Sequence, residues 1–385
     1  MTTAVTHPVR DIRDVLSLKG LDRDRSAWLG RIEAVTDDQV KAALSTTPGS
    51  YTLDKLVALV APAAGKYIEE MARAARKLTI QRFGRTVRLY APIYVSNHCI
   101  NGCLYCGFNS ASKTERIRLT VEDAVAESDV IAAEGFRDLL LVSSEDRNFI
   151  DVEYLSELAR RLQGKFSSLS VEIYQMSEVE YRKLFEAGID GVTLYQETYD
   201  RDVYRAFHRF GPKADYDQRL LTPSRAANAG MREIGLGALL GLTDWRIETL
   251  ALAEHGHSLM KHHWQSHISF SFPRLRPASQ VDRMQFDHLL SDTELVQMIL
   301  ALRLCFADAG LVISTRESAR LRDHLIELGI TKMSAGSKTS PGGYRHKNQQ
   351  LEQFEIDDSR CPAEVAAMIR SHGFEPVWKD WERPV

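Results

Sequence analysis

The spacing of apolar residues changes near residue 87, and that change divides the chain. Up to about residue 85 they recur at helical spacing. Leu56, Leu59 and Val60, then Ile68, Met71 and Ala72, fall on single helical faces, while Arg73–Arg82 is basic and reads as solvated. Beyond it, short β-rich runs alternate with amphipathic stretches. The predicted strands are Arg88–Val95, Asp138–Ser143, Ser168–Gln175, Gly191–Gln196, Glu233–Leu240, His267–Phe272, Leu311–Thr315 and Thr331–Ser334. Between them, Ser177-Glu-Val-Glu180 and Ser291-Asp-Thr-Glu294 read as capping boxes, in which Ser and Glu side chains satisfy free helix N–H groups. Thr120-Val-Glu-Asp123 is a similar start, and Gly135, Gly188, Gly230 and Gly310 stand where helices are expected to stop. Strand–helix alternation repeated in this way predicts an α/β fold, a parallel (β/α)8 barrel of the TIM type. The organisation read from the chain is a helical N-terminal extension over 1–86, the barrel over 87–339, and a C-terminal tail over 340–385 packing on it. The tail carries a helix near Ala363–His372 and ends in Val377-Trp-Lys-Asp-Trp381, whose aromatics are expected to dock on the body.

A barrel of this kind keeps its chemistry where the C-terminal strand ends and their following loops converge. Just after the first strand stand Cys99, Cys103 and Cys106, spaced C-x3-C-x2-C and followed by Gly107 and Phe108. Thiolates are the usual ligands of [4Fe–4S] clusters, and three of them leave one of four irons open. A zinc site using the adjacent His98 is the alternative, but structural zinc wants a second ligand pair, and Cys305 and Cys361 are single and far apart. Strand two ends in Ser143-Ser144-Glu145, a carboxylate suited to a charged N–H donor, or else a turn or helix cap. Strand four ends in Tyr195-Gln-Glu-Thr198, polar groups that a core would have to satisfy, and Glu197 is the candidate for a ribose or an ammonium. Arg219, on the following helix, can form a fork with a carboxylate or lie on the surface. On strand five, Gly235 and Gly237 would let a flat ring such as adenine approach the backbone. Their G-x-G-x-x-x-G spacing on the fifth unit does not suit a dinucleotide site, and Gly336-Ser-Lys-Thr339 lacks the upstream glycine of a P-loop. Strand seven ends in Ser314-Thr-Arg316, a carboxylate clamp or a capped helix start, and Arg274 and Arg276 serve either an anionic ligand or the surface.

Composition narrows the classes. With 385 residues, 44% of them apolar, and a formal charge of −3, the chain can bury a large core and lacks the basic stripe of a nucleic-acid binder. No apolar run is long enough to span a membrane, and Met1–Asp14 lacks the apolar stretch of a secretory signal. Five cysteines with three clustered do not make a disulfide framework, so a reducing compartment, the cytoplasm, is expected. His255, His257, His262, His263 and His267 read as solvated along one charged helix and its exit, not as a second metal site.

Taken together, the cysteine triplet, Tyr195-Gln-Glu-Thr198, Gly235-Leu-Gly-Ala-Leu239, Ser271-Phe-Pro-Arg-Leu-Arg-Pro277, Ser314-Thr-Arg-Glu-Ser318 and Ser337-Lys-Thr-Ser-Pro-Gly-Gly-Tyr344 carry a resemblance. From about residue 50 to the Val-Trp-Lys-Asp-Trp ending, the chain resembles the tyrosine lyase family of thiamine biosynthesis, within the radical S-adenosylmethionine (SAM) superfamily. That resemblance implies a [4Fe–4S] cluster on Cys99, Cys103 and Cys106, with SAM on the open iron as source of a 5′-deoxyadenosyl radical. It implies SAM contacts from Phe108, Ser144, Glu145, Glu197, Arg219, Gly235 and Gly237. L-Tyrosine would lie in the barrel, its carboxylate on Arg316 and Ser314, with Tyr94 helping to position it. Cleavage of its Cα–Cβ bond would give 2-iminoacetate and p-cresol, with 5′-deoxyadenosine and methionine. The resemblance also implies a complex with thiazole synthase and a flavodoxin- or ferredoxin-type electron donor. The related lyase of hydrogenase maturation adds a cysteine-rich domain with a second cluster; here only Cys361 follows residue 310, so the chemistry is expected to stop at the imine. The other readings are a radical SAM lyase of another aromatic amino acid such as tryptophan, and a non-catalytic iron–sulfur protein.

Overall fold

The computed structural model describes residues 11–278, 281, 286–346 and 352–379. Eight strands run parallel and in chain order: β1 Thr86–Ser96, β2 Asp138–Ser143, β3 Ser168–Glu172, β4 Gly191–Glu197, β5 Glu233–Ala238, β6 His267–Ser271, β7 Gly310–Ile313 and β8 Lys332–Ser334. Each pairs with the next, and β1 pairs with both β2 and β8, which closes the barrel. The strand pattern explains itself on β1. Leu89, Ala91, Ile93 and Val95 face the large core between strands and helices, whereas Tyr90 and Tyr94 join Leu140, Val142, Val312 and Phe108 in a second cluster. A strand buried on both faces reads as one apolar run.

The helix starts follow their sequence signals. Ser177 with Glu180 and Ser291 with Glu294 form complete capping boxes, and Thr120 accepts from the Asp123 amide. Gly188 closes its helix in the left-handed conformation. Gly310 does not; it opens β7, and a Cβ there would come within 2.9 Å of the Ser269 side chain. The strands β3 and β5 end earlier than read. A ninth strand, β9 Glu375–Val377, was not anticipated; it pairs with Thr86–Arg88 on the edge of β1 opposite β8, just before the start of β2. The tail helix runs Pro362–Ser371, and Trp378 packs edge-on against Phe136 at 5.1 Å; Trp381 lies outside the described residues. His255 corrects the solvated reading of the histidines: it is buried, with Nδ1 2.9 Å from the Tyr199 hydroxyl.

At the N-terminal end, charged side chains plug the barrel. Arg88 pairs with Asp138 at 2.6 Å, and Lys332 reaches Asp138 and Glu233 at 2.9 and 3.2 Å. Burying such charges is tolerable only because they satisfy one another. The opposite end is left for a ligand. The N-terminal helices are tied down by Lys55, whose ammonium donates to the carbonyls of Thr47, Ser50 and Leu304. No described helix is long and apolar enough to cross a membrane.

Candidate active site

The loop leaving β1 is held by its own backbone. Arg116 donates to the carbonyls of Asn97, Phe108, Asn109 and Ser112 at 2.6–3.1 Å, and Asn97 braces Glu115 and Ile117. Behind the loop, the His208 ring bridges the Tyr204 carbonyl and the Tyr105 hydroxyl, each at 2.8 Å. Burial and nearby Lys213 push its pKa down to about 3, so the ring is neutral. A neutral imidazole with Nδ1–H donating to the carbonyl leaves Nε2 to accept from Tyr105.

Cys99, Cys103 and Cys106 all line one cavity at the barrel mouth, with Phe108 beneath and Tyr94 edge-on to it at 6.3 Å. Burial pushes the Cys103 thiol up to about 12 and raises Cys106, whose sulfur lies 3.7 Å from the Gln353 amide nitrogen. Thiols so placed ionise when a metal centre supplies the compensating charge. Among the described residues no three His, Cys, Asp or Glu side chains converge on a point that would suit a single metal ion. Three sulfurs spread around one cavity suit a polynuclear cluster, in which ligands take different irons, better than tetrahedral zinc. The residues fit a [4Fe–4S] cluster with three protein ligands.

Two acidic clusters face the thiols. Glu145 is buried, paired with Arg147 at 2.7 Å and accepting from the Asn101 amide at 3.2 Å; Ser144 lines the cavity beside it. Glu197 meets Lys213 at 2.6 Å and Arg219 at 3.4 Å. Burial opposes its ionised form, but those two cations outweigh it and hold the carboxyl below the usual range. Arg219 is buried and also donates to the Tyr195 carbonyl at 2.7 Å, so it is no surface arginine. Glu197 has φ +70°, the one non-glycine left-handed residue among those described, where the β4–β5 register shifts. Strain of this kind concentrates at working sites.

Below lies a second cavity, within the barrel. Arg316 lines both, its guanidinium stacked on Phe354 at 3.3 Å; Ser314 lines the deeper one and accepts from the Arg316 amide at 3.4 Å. The Tyr94 hydroxyl donates to Gln353 at 3.0 Å. Arg276 reaches the upper rim, whereas Arg274 is engaged by Glu317 and Asp292.

The two glycines of β5 pack closely against the neighbouring strands. Neither lines the upper cavity. A Cβ on Gly235 would meet the Thr193 side chain at 2.6 Å, and one on Gly237 the Tyr195 ring at 2.6 Å. They leave room for side chains of β4, and Gly235 also lines a small cavity deeper in the barrel.

Among the cavity residues that escaped the sequence reading are Asn101, Glu172, Lys213 and Gln353. Asn101 sits within the cysteine loop, a signal that was available, whereas Glu172 ends β3 only because that strand stops three residues before the predicted Gln175. Lys213 and Gln353 arrive from stretches without a pattern.

The profile of the Radical SAM superfamily matches residues 93–253, and that of the Biotin and Thiamin Synthesis associated domain matches residues 271–375. The chain is 43% identical over 353 residues to 2-iminoacetate synthase of Escherichia coli (strain K12), covering 91% of this chain and 93% of that one. Among solved structures, it resembles HydG, a maturase of the [FeFe]-hydrogenase, with a TM-score of 0.87 and 30% identity over 93% of this chain and 80% of that chain. HydG from Carboxydothermus hydrogenoformans gives 0.81, again at 30% identity, over 95% and 85% of the two chains.

Proposed function

The chain belongs to the 2-iminoacetate synthase family of radical SAM enzymes, and from that premise we propose that it cleaves the Cα–Cβ bond of L-tyrosine to 2-iminoacetate and p-cresol. What supports this most is that three thiols and two paired carboxylates line a cavity at the barrel mouth, and Arg316 lines both it and the adjoining deeper one, in a barrel whose other end is filled by charged side chains. Cys99, Cys103 and Cys106 hold the cluster. With SAM bound, that centre would supply a 5′-deoxyadenosyl radical for hydrogen abstraction, using one SAM and electrons from an external reductant. The chain's own residues bind and shield. Ser144, Glu145 and Glu197 accept hydrogen bonds from SAM, and Arg219 orients Glu197. Arg316 and Ser314 hold the tyrosine carboxylate, a pairing worth more in a dry site than in water. Tyr94, tied through Gln353 to the thiol side, keeps substrate and cluster in fixed relation. Excluding water limits side reactions of so reactive a radical.

We place the working parts at 1–86, 87–339 and 340–385, and the protein in the cytoplasm. An imine that hydrolyses in water favours direct hand-over, so a complex with thiazole synthase belongs to the proposal, as does a flavodoxin- or ferredoxin-type donor.

The test is anaerobic reconstitution followed by SAM, a reductant and tyrosine. p-Cresol and glyoxylate, the hydrolysis product of the imine, are expected; deoxyadenosine without p-cresol would overturn tyrosine as substrate. Arg316→Ala should abolish p-cresol formation while leaving iron content unchanged. Loss of the cluster in that variant would refute the clamp.

A further inference from the structure

Glu172 stands at the end of β3, on the junction of the two cavities. Of the described residues that line both, only Glu172 and Arg316 are charged. The other carboxylates at the mouth have cations: Glu145 has Arg147, Glu197 has Lys213 and Asp146 has Arg118. Glu172 has no hydrogen bond or ion pair from its carboxylate among the described residues. Burial pushes its pKa up to about 7, against the pull of Arg316. An ionised carboxylate in such a place is costly without a partner. The site therefore offers one anion and one cation, both facing the junction, with Tyr90, Leu140 and Val312 lining apolar space below.

We propose that Glu172 holds the α-ammonium of the substrate amino acid while Arg316 holds its α-carboxylate. The inference rests on reading the chain as an amino-acid lyase. A zwitterionic head caught between opposite charges is fixed at two points, which sets Cα at the junction and sends the aromatic ring into the deeper cavity. Fixing the reacting atoms in this way is what a radical step over a short distance requires. Glu172 is thereby a substrate-binding residue and a source of selectivity for amines.

The test compares three ligands on anaerobically reconstituted holoenzyme with SAM: tyrosine, 3-(4-hydroxyphenyl)propanoate, which lacks the ammonium, and phenylalanine, which lacks the phenol. Dissociation constants are measured by equilibrium dialysis for wild type and Glu172→Gln, with iron content and unfolding midpoint as controls. The expected result is that Glu172→Gln weakens tyrosine about 10- to 100-fold, the range for losing a charge-assisted hydrogen bond. The deaminated ligand should bind as in wild type, or tighter. Unchanged preference for tyrosine over the deaminated ligand overturns the proposal. So does loss of the tyrosine–phenylalanine preference alone, which would put the phenol on Glu172. A second measurement uses wild type only. Near pH 7, tyrosine binding should release protons as Glu172 ionises against the ammonium, whereas the deaminated ligand should not. The other groups facing Glu172 are the cations Arg316, Lys213 and Arg219, Glu197 held ionised by its cations, and Tyr90, Tyr94 and Tyr195, which burial keeps neutral. No release of protons overturns the assignment. Because both measurements read binding, they stand apart from p-cresol formation by wild type, which tests the lyase reading itself.

Discussion

At the scale of single residues, backbone geometry carries as much meaning as chemistry. Glu197 occupies a left-handed conformation that costs a non-glycine residue about 1–3 kcal/mol. Glu197→Gly and Glu197→Ala both remove the carboxylate that Lys213 and Arg219 share, but only glycine relieves the backbone. The glycine variant should be the more stable of the two by about 1 kcal/mol in urea unfolding, with SAM affinity lowered in both. Equal stabilities would mean that the strain is not there. Gly237→Ala tests the opposite case. Its Cβ would lie 2.6 Å from the Tyr195 ring and 3.1 Å from the Ser271 carbonyl. Overpacking of this kind costs about 1–3 kcal/mol, measurable as a lower urea midpoint, and would push Tyr195 into the cavity. The sequence made Glu145 and Glu197 visible because polar groups interrupt apolar strands. At Gly235 and Gly237 it leaves the role open, because a glycine that admits a ligand and one that admits a neighbouring side chain look alike until the opposing strand is known.

Among elements, legibility follows length and local signals. The long strand β1 and the capped helices are read almost at their observed bounds, since their patterns are local. The three-residue β9 has no pattern of its own; it exists because Thr86–Arg88 offers a free edge opposite β8, before β2 begins to pair at Ala91. The loop 97–118 is the element on which the cluster depends, and its order comes from Arg116 gathering four carbonyls. Arg116→Ala leaves those acceptors to water and loosens the spacing of the three sulfurs. Anaerobic reconstitution should then yield markedly less iron per chain, with the far-ultraviolet circular dichroism of wild type. Full iron content would show that the cysteines need no such scaffold. For β9, what the sequence hides is a contact between residues far apart in the chain; for the loop, it is a local side-chain-to-backbone contact that no pattern announces.

Across the whole molecule, four buried titratable groups make stability at low pH a balance of opposites. His208 and His255 are pushed down to about 3 by burial, Glu172 up to about 7 and Glu248 up to about 8. Below pH 6.5 the unfolded chain protonates both histidines and the folded chain does not, so each lowers stability as pH falls toward 3. The carboxyls act in the other direction: folded, they take up protons near pH 7–8, whereas unfolded they wait until about 4.5, so each raises stability as pH falls across that interval. Each contribution is on the order of one kcal/mol per pH unit. Between pH 6.5 and 4.5 the two pairs largely offset; below 4.5 the histidines still lower stability, carboxyls held down by cations such as Glu197 and Asp358 add to the loss, and stability should drop. Single replacements expose the balance. His255→Phe removes one histidine and leaves the Tyr199 hydroxyl without its 2.9 Å partner, so it should be less stable than wild type at pH 8 by about 1–3 kcal/mol. That deficit should shrink steadily as pH falls below 6.5. Glu248→Gln should show the reverse, its stability relative to wild type worsening from pH 8 to 4.5. Urea unfolding at pH 8, 6.5, 5 and 4 measures both differences. Parallel curves for His255→Phe and wild type would mean that His255 is charged, or solvated, in the folded protein.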